Sequence, residues 1–176
     1  MKTTTSIVIA LAALLLSACE RAPLSGPPDM PLGRHECKAC GMLVSEDRCS
    51  SALLVEIHGR REYFFYDDLG CMLDQVRVGI ENTTIVDHFA RDYDTRSWVP
   101  AAEATFLFTD PAKLQTPMGS GIVAFSSSGD AERAKARFDG RTINYADLAE
   151  ARRMWMEDRY GRPKSQDGNP VGKGPP

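Results

Sequence analysis

Between Ala52 and Val76 two short apolar strands run straight into a helical apolar face, and this succession constrains the fold more than any other stretch of the chain. Ala52 to Ile57 (Ala-Leu-Leu-Val-Glu-Ile) and Glu62 to Tyr66 (Glu-Tyr-Phe-Phe-Tyr) are rich in aliphatic and aromatic residues. The stretch His58-Gly59-Arg60-Arg61 between them predicts the turn of a hairpin. Asp67 or Asp68 then predicts a helix cap, and Leu69, Met72, Leu73 and Val76 fall at i, i+3, i+4 and i+7. Thr84 to Phe89 reads as a third strand, so the first half is β-β-α-β. In the second half Trp98-Val99, Ala104 to Phe108 and Ile122 to Phe125 read as strands, and helices follow at about 130–138 and 145–160. Strands before helices, with short connections, predict an α+β fold with a mainly antiparallel sheet rather than a doubly wound parallel one. The second half shows no clean final strand, and no internal sequence repeat stands out.

The N-terminus predicts an exported chain. Lys2 is followed by an apolar run from Ile7 to Leu16, the pattern of a secretory leader. The run is too short to span a bilayer, which takes about twenty apolar residues. Leu16-Ser17-Ala18-Cys19 fits the cleavage site of a bacterial lipoprotein, so residues 1–18 are expected to be a signal peptide and Cys19 the acylated mature N-terminus. Several acyl chains on one residue anchor stably, where one would be marginal. No twin-arginine pair precedes the run, which points to export in the unfolded state. Glu20, rather than an aspartate, follows the lipid site and favours the outer over the inner membrane. Residues 19–34, rich in Pro, Gly and Ser, are expected to form a flexible tether. Residues 35–160 are expected to form the folded domain, and 161–176, with Val171 as their one apolar side chain, a disordered tail.

The formal charge of −3 becomes about −4 once Lys2 leaves with the leader, with both signs mixed along the chain. A basic nucleic-acid footprint is absent. Nor is there a nucleophile elbow, a Gly-rich phosphate loop or a zinc-hydrolase helix motif.

The chemistry concentrates in sulfur. Lipidation of Cys19 leaves Cys37, Cys40, Cys49 and Cys71. In an oxidising compartment these four cysteines allow three full disulfide pairings. Cys37 and Cys40 form a C-x-x-C, a spacing of metal and redox sites, and Met42 adds a thioether two residues on. Soft sulfur donors select Cu(I) over hard cations. A thioether cannot be deprotonated and holds zinc poorly, which favours copper over a four-cysteine zinc site. Gly41 lets the chain turn tightly between donors. A second candidate is Met118, presented by Thr116-Pro117-Met118-Gly119-Ser120-Gly121, a loop shaped by proline and glycine. A loop methionine packed on the core is the plain alternative. Asp67 and Asp68 suggest a helix cap first and acid–base chemistry second. Cys71 falls away from the Leu69–Val76 face or on its edge. His35 and His88 are candidate nitrogen donors, and His58 sits in the turn. The competing reading of Cys37 and Cys40 is a thiol–disulfide oxidoreductase. Against it, no apolar strand leads into Cys37, as a thioredoxin-like site requires. A structural lipoprotein with two disulfides is a third reading.

Taken in order, Cys-Lys-Ala-Cys-Gly-Met at 37–42, Tyr-Phe-Phe-Tyr-Asp-Asp-Leu-Gly-Cys-Met at 63–72 and Pro-Met-Gly-Ser-Gly-Ile-Val-Ala-Phe at 117–125 resemble the NosL family over about 37–159. The resemblance implies a periplasmic Cu(I) chaperone, not an enzyme, that helps assemble the copper centres of nitrous oxide reductase beside an ABC-type transporter complex. It implies two linked β-β-α-β modules related to the organomercurial-lyase fold, without that enzyme's activity. By motif it makes Cys40, Met42 and Met118 the leading copper ligands, with Cys37 next and Cys71 after it.

Overall fold

A computed structural model describes residues 22–161. The leader, the lipid site Cys19 and the segment from 162 onward lie outside the described residues.

Strands β1 (Ser51–Ile57) and β2 (Arg60–Tyr66) form the expected hairpin, paired from Ser51↔Tyr66 to Ile57↔Arg60. Helix α1 (Leu69–Val78) follows, its N-cap the side chain of Asp68, and then β3 (Thr84–Arg91). The short β4 (Trp98–Pro100) and a 3-10 turn at Ala101–Glu103 lead to β5 (Thr105–Phe108) and β6 (Ile122–Phe125). Helix α2 (Ser128–Phe138), strand β7 (Arg141–Ile143) and helix α3 (Tyr145–Tyr160) complete the chain. All strand pairs within the two sheets are antiparallel, and the fold is α+β as expected.

The architecture repeats even though the sequence does not. β1-β2-α1-β3 and β5-β6-α2-β7 are both β-β-α-β units whose first strand lies centrally, in sheets ordered β2-β1-β3-β4 and β6-β5-β7. The final strand of the second unit escapes the sequence because Arg-Thr-Ile is three residues long and none of them is fully buried. Sequence periodicity needs more turns of the pattern than that.

Every residue of β6 is buried, because its sheet is covered on both faces. Ile122 and Ala124 join the large core shared with the first unit, whereas Val123 and Phe125 point into a second cluster with Leu107, Leu114, Ala131 and Ala134. Alternation thus sorts one apolar run between two cores. The units are joined polar group to polar group as well. Asp92, just past β3, accepts hydrogen bonds from Ser126 N and Oγ at 2.6 Å each, just past β6. Arg152 of α3 pairs with Asp74 of α1 at 2.9 Å.

One expectation changes. Residues 22–34 are not a free tether throughout: Pro28 and Met30 are buried, and Met30 belongs to the large core. Tyr63 donates to the carbonyl of Gly26 at 2.7 Å, and Arg61 to that of Leu24 at 3.2 Å. Proline and glycine content signals flexibility only where nothing docks the segment, and here two carbonyls find partners on the hairpin while a methionine joins the core.

Candidate metal centre

The C-x-x-C sits at the tip of a small knuckle. Val44 N donates to His35 O, Cys37 N to Met42 O at 2.6 Å, and Gly41 N to Cys37 O at 2.8 Å. Gly41 has φ +75°, the left-handed conformation that lets this turn close. Lys38 N donates to Phe65 O at 2.8 Å and fixes the knuckle to the end of β2.

The two aspartates after β2 divide the surrounding loops between them. Asp67 Oδ1 accepts from the backbone of Ser45 at 3.0 Å and holds the strand leaving the knuckle. Asp68 caps α1 through Gly70 N at 2.7 Å, and its other oxygen takes Thr116 Oγ1 at 2.6 Å and Met118 N at 2.9 Å. Both carboxylates are buried and committed to structure, so the capping reading holds and the acid–base one does not. Ser120 N also donates to Thr116 Oγ1, which closes the loop of Met118 on itself.

Cys71 lies in the first turn of α1, and there the fold decides what spacing left open. Its sulfur, with those of Cys37 and Cys40, forms a group in which all three lie within 4.8 Å of one another. Among the described residues no other group of three or more His, Cys, Asp or Glu side chains is so arranged. Cys37 is buried, Cys71 half-buried and Cys40 exposed, and all are free thiols. The site therefore has a closed floor and one open side. The neighbouring Cys71 thiol, against the opposing effect of burial, draws Cys37 below the ordinary thiol range, helped by backbone groups of Asp67, Cys40 and Ala39. Cys71 is correspondingly held well above the ordinary thiol range, by the Cys37 thiol first and by burial second. Cys40 is raised, chiefly by desolvation.

The remaining candidates fall into two sets. Met42 lies in the knuckle and Met118 on the loop that Asp68 holds, and both are exposed, with 45% and 44% of their surface open. They are thus not core residues, the plain alternative for Met118. The histidines stand outside the thiol group: the His35 ring packs 4.4 Å from Phe65 and the His88 ring 5.1 Å from Tyr145. Cys49 is buried alone in the second cluster, and burial pushes its thiol up to about 12. Sequence reasoning ranked Cys71 last. The signal available was its place three residues after the Asp68 cap, which puts Cys71 in the first turn of α1, beside the loops that flank that turn.

Two β-β-α-β units sharing one large core, with three thiols gathered from an N-terminal knuckle and the first turn of α1, define an α+β protein built to hold a soft metal or a redox centre. The chain belongs to the NosL family, whose family model matches residues 31–152. Among solved structures, it resembles the crystal structure of the copper chaperone NosL from Shewanella denitrificans. The TM-score is 0.59 at 17% identity, over 74% of this chain and 99% of that one. No curated protein matches the chain.

Proposed function

We propose that this protein is a Cu(I) chaperone, not an enzyme, that carries copper on Cys37, Cys40 and Cys71 with the Met42 and Met118 thioethers at the opening. The observation that carries the reading is the group of three free thiols within 4.8 Å. All-sulfur coordination with thioethers at hand suits Cu(I) better than zinc or hard cations. Membership of the NosL family and the fold shared with a copper chaperone support the same reading. The exposed Cys40 is the residue through which an acceptor enters: a ligand of the receiving site attacks from the open side, and copper passes by exchange without being released.

The client is nitrous oxide reductase, with the associated ABC-type transporter complex as neighbour. The chain works at the periplasmic face of a bacterial membrane, the outer one being favoured, anchored through acylated Cys19. Anchoring raises the local concentration of cargo at membrane partners. The oxidoreductase reading asks for an acidic thiol that is also accessible. Here the thiol drawn down is the buried Cys37, while the exposed Cys40 is raised.

Anaerobic titration of Cu(I) into the reduced mature chain against a chromophoric chelator tests the proposal. Tight uptake near one equivalent, lost in Cys40→Ser and Cys71→Ser and weakened in Met118→Ala, is expected. An absence of competition by the unaltered protein would sink it.

A further inference from the structure

Tyr66 ends β2, one residue after the carbonyl that pins the knuckle and two before the cap of α1. It therefore stands between the element that carries Cys37 and the element that carries Cys71, in the core cluster containing Cys37 and touching Cys71. The residue has no exposed surface, yet its hydroxyl has no hydrogen-bond partner among the described residues. A buried hydroxyl left unpaired costs about 1–3 kcal/mol, and a phenylalanine would fill the same space without that cost. A phenol carries its proton at neutral pH, so this hydroxyl is a donor in want of an acceptor. A metal-bound thiolate retains lone pairs that accept hydrogen bonds, and such outer contacts orient the ligand and tune the metal.

We propose that the Tyr66 hydroxyl donates a hydrogen bond to the Cys37–Cys71 thiolate pair when the metal is bound, making Tyr66 a positioning residue of the site. The inference rests on the Cu(I) reading above. In the metal-free protein the hydroxyl is idle, and in the loaded protein it is paired. Removing it should therefore act in opposite senses on fold and on binding, which a packing role cannot do.

The test compares Tyr66→Phe with the unaltered mature protein, both reduced and titrated with Cu(I) against a chromophoric chelator, together with metal-free thermal melts and loaded-minus-free ultraviolet difference spectra. The expected result is Cu(I) affinity about tenfold weaker, a metal-free melting temperature equal or higher, and a thiolate-to-copper band moved to longer wavelength as the sulfur lone pairs rise in energy. Equal affinity with an unmoved band would overturn the proposal. A fall in melting temperature and affinity together would also overturn it, assigning the hydroxyl to the fold. Absence of Cu(I) binding by the unaltered protein would remove the chaperone reading and this inference with it.

Discussion

The carboxylate of Asp68 holds the backbone N–H of Met118 at 2.9 Å with one oxygen while the other caps the helix that carries Cys71. One buried side chain thus sets the position of a loop fifty residues away against the thiol floor of the site.

Asp68→Ala removes a helix cap and two further buried hydrogen bonds to a charged group, a loss of about 3–5 kcal/mol. Urea unfolding should show it. Asp68→Asn keeps one acceptor but turns an amide N–H₂ toward two donors. It should fold with a smaller loss and still weaken Cu(I) binding by loosening the Met118 loop. Unchanged Cu(I) affinity in a folded Asp68→Asn protein would show that the loop needs no such anchor.

The four thiols should separate by alkylation. Cys40 is exposed and should react in the native protein, while Cys49, buried and raised to about 12, should react only after unfolding. Cys49→Ala should leave Cu(I) stoichiometry intact, because that thiol lies in the second core cluster and outside the group of three. Mass spectrometry of alkylated peptides reads the order. Early labelling of Cys49 would contradict the buried placement.

Two glycines of the Met118 loop should respond very differently to alanine. Both have positive φ, +65° at Gly119 and +66° at Gly121. At Gly119 a Cβ meets open space, so the cost is the backbone penalty of about 1–2 kcal/mol. At Gly121 a Cβ would stand 2.2 Å from the carbonyl oxygen of Thr109, and neither backbone can yield without breaking the start of β6. Gly121→Ala should lose several times more stability than Gly119→Ala in thermal melts, or fail to fold.

Acid should part the two units at Asp92. Burial works to raise this carboxyl, but hydrogen bonds from Ser126, Thr95 and Asp94 outweigh it and hold the group below the usual carboxylate range. A depressed folded value means stabilisation that is fully present above the unfolded value of about 3.9 and lost as pH falls through the folded one. Stability should therefore be level in this respect at neutral pH and fall below about pH 4. Asp92→Asn should cost about 1–3 kcal/mol at pH 7 and flatten that acid limb in urea titrations taken at a series of pH values.

Much of the fold was legible because it is written locally. The β1–β2 hairpin and α1 appear in short-range periodicity, with aromatic residues before Asp67 and an i, i+3, i+4, i+7 face after Asp68. The knuckle was legible as C-x-x-C followed by Gly41, whose positive φ the turn requires. The loop of Met118 was legible as proline and glycine around a methionine, though whether that methionine faced solvent or the core was not. These are properties of neighbouring residues, and backbone sterics and side-chain spacing act over that range whatever the rest of the chain does.

What only the tertiary structure decided are the contacts between distant segments. Cys71 joins Cys37 and Cys40 because Phe65 pins the knuckle over the first turn of α1. Met30 leaves a tether-like stretch because it joins the large core cluster. Arg141–Ile143 becomes a strand because β5 presents a free edge. Asp68 serves a helix and a remote loop at once. Each depends on burial and on hydrogen bonds closed across the fold, whose free energy belongs to the assembled core and leaves no periodic trace in the residues that supply it.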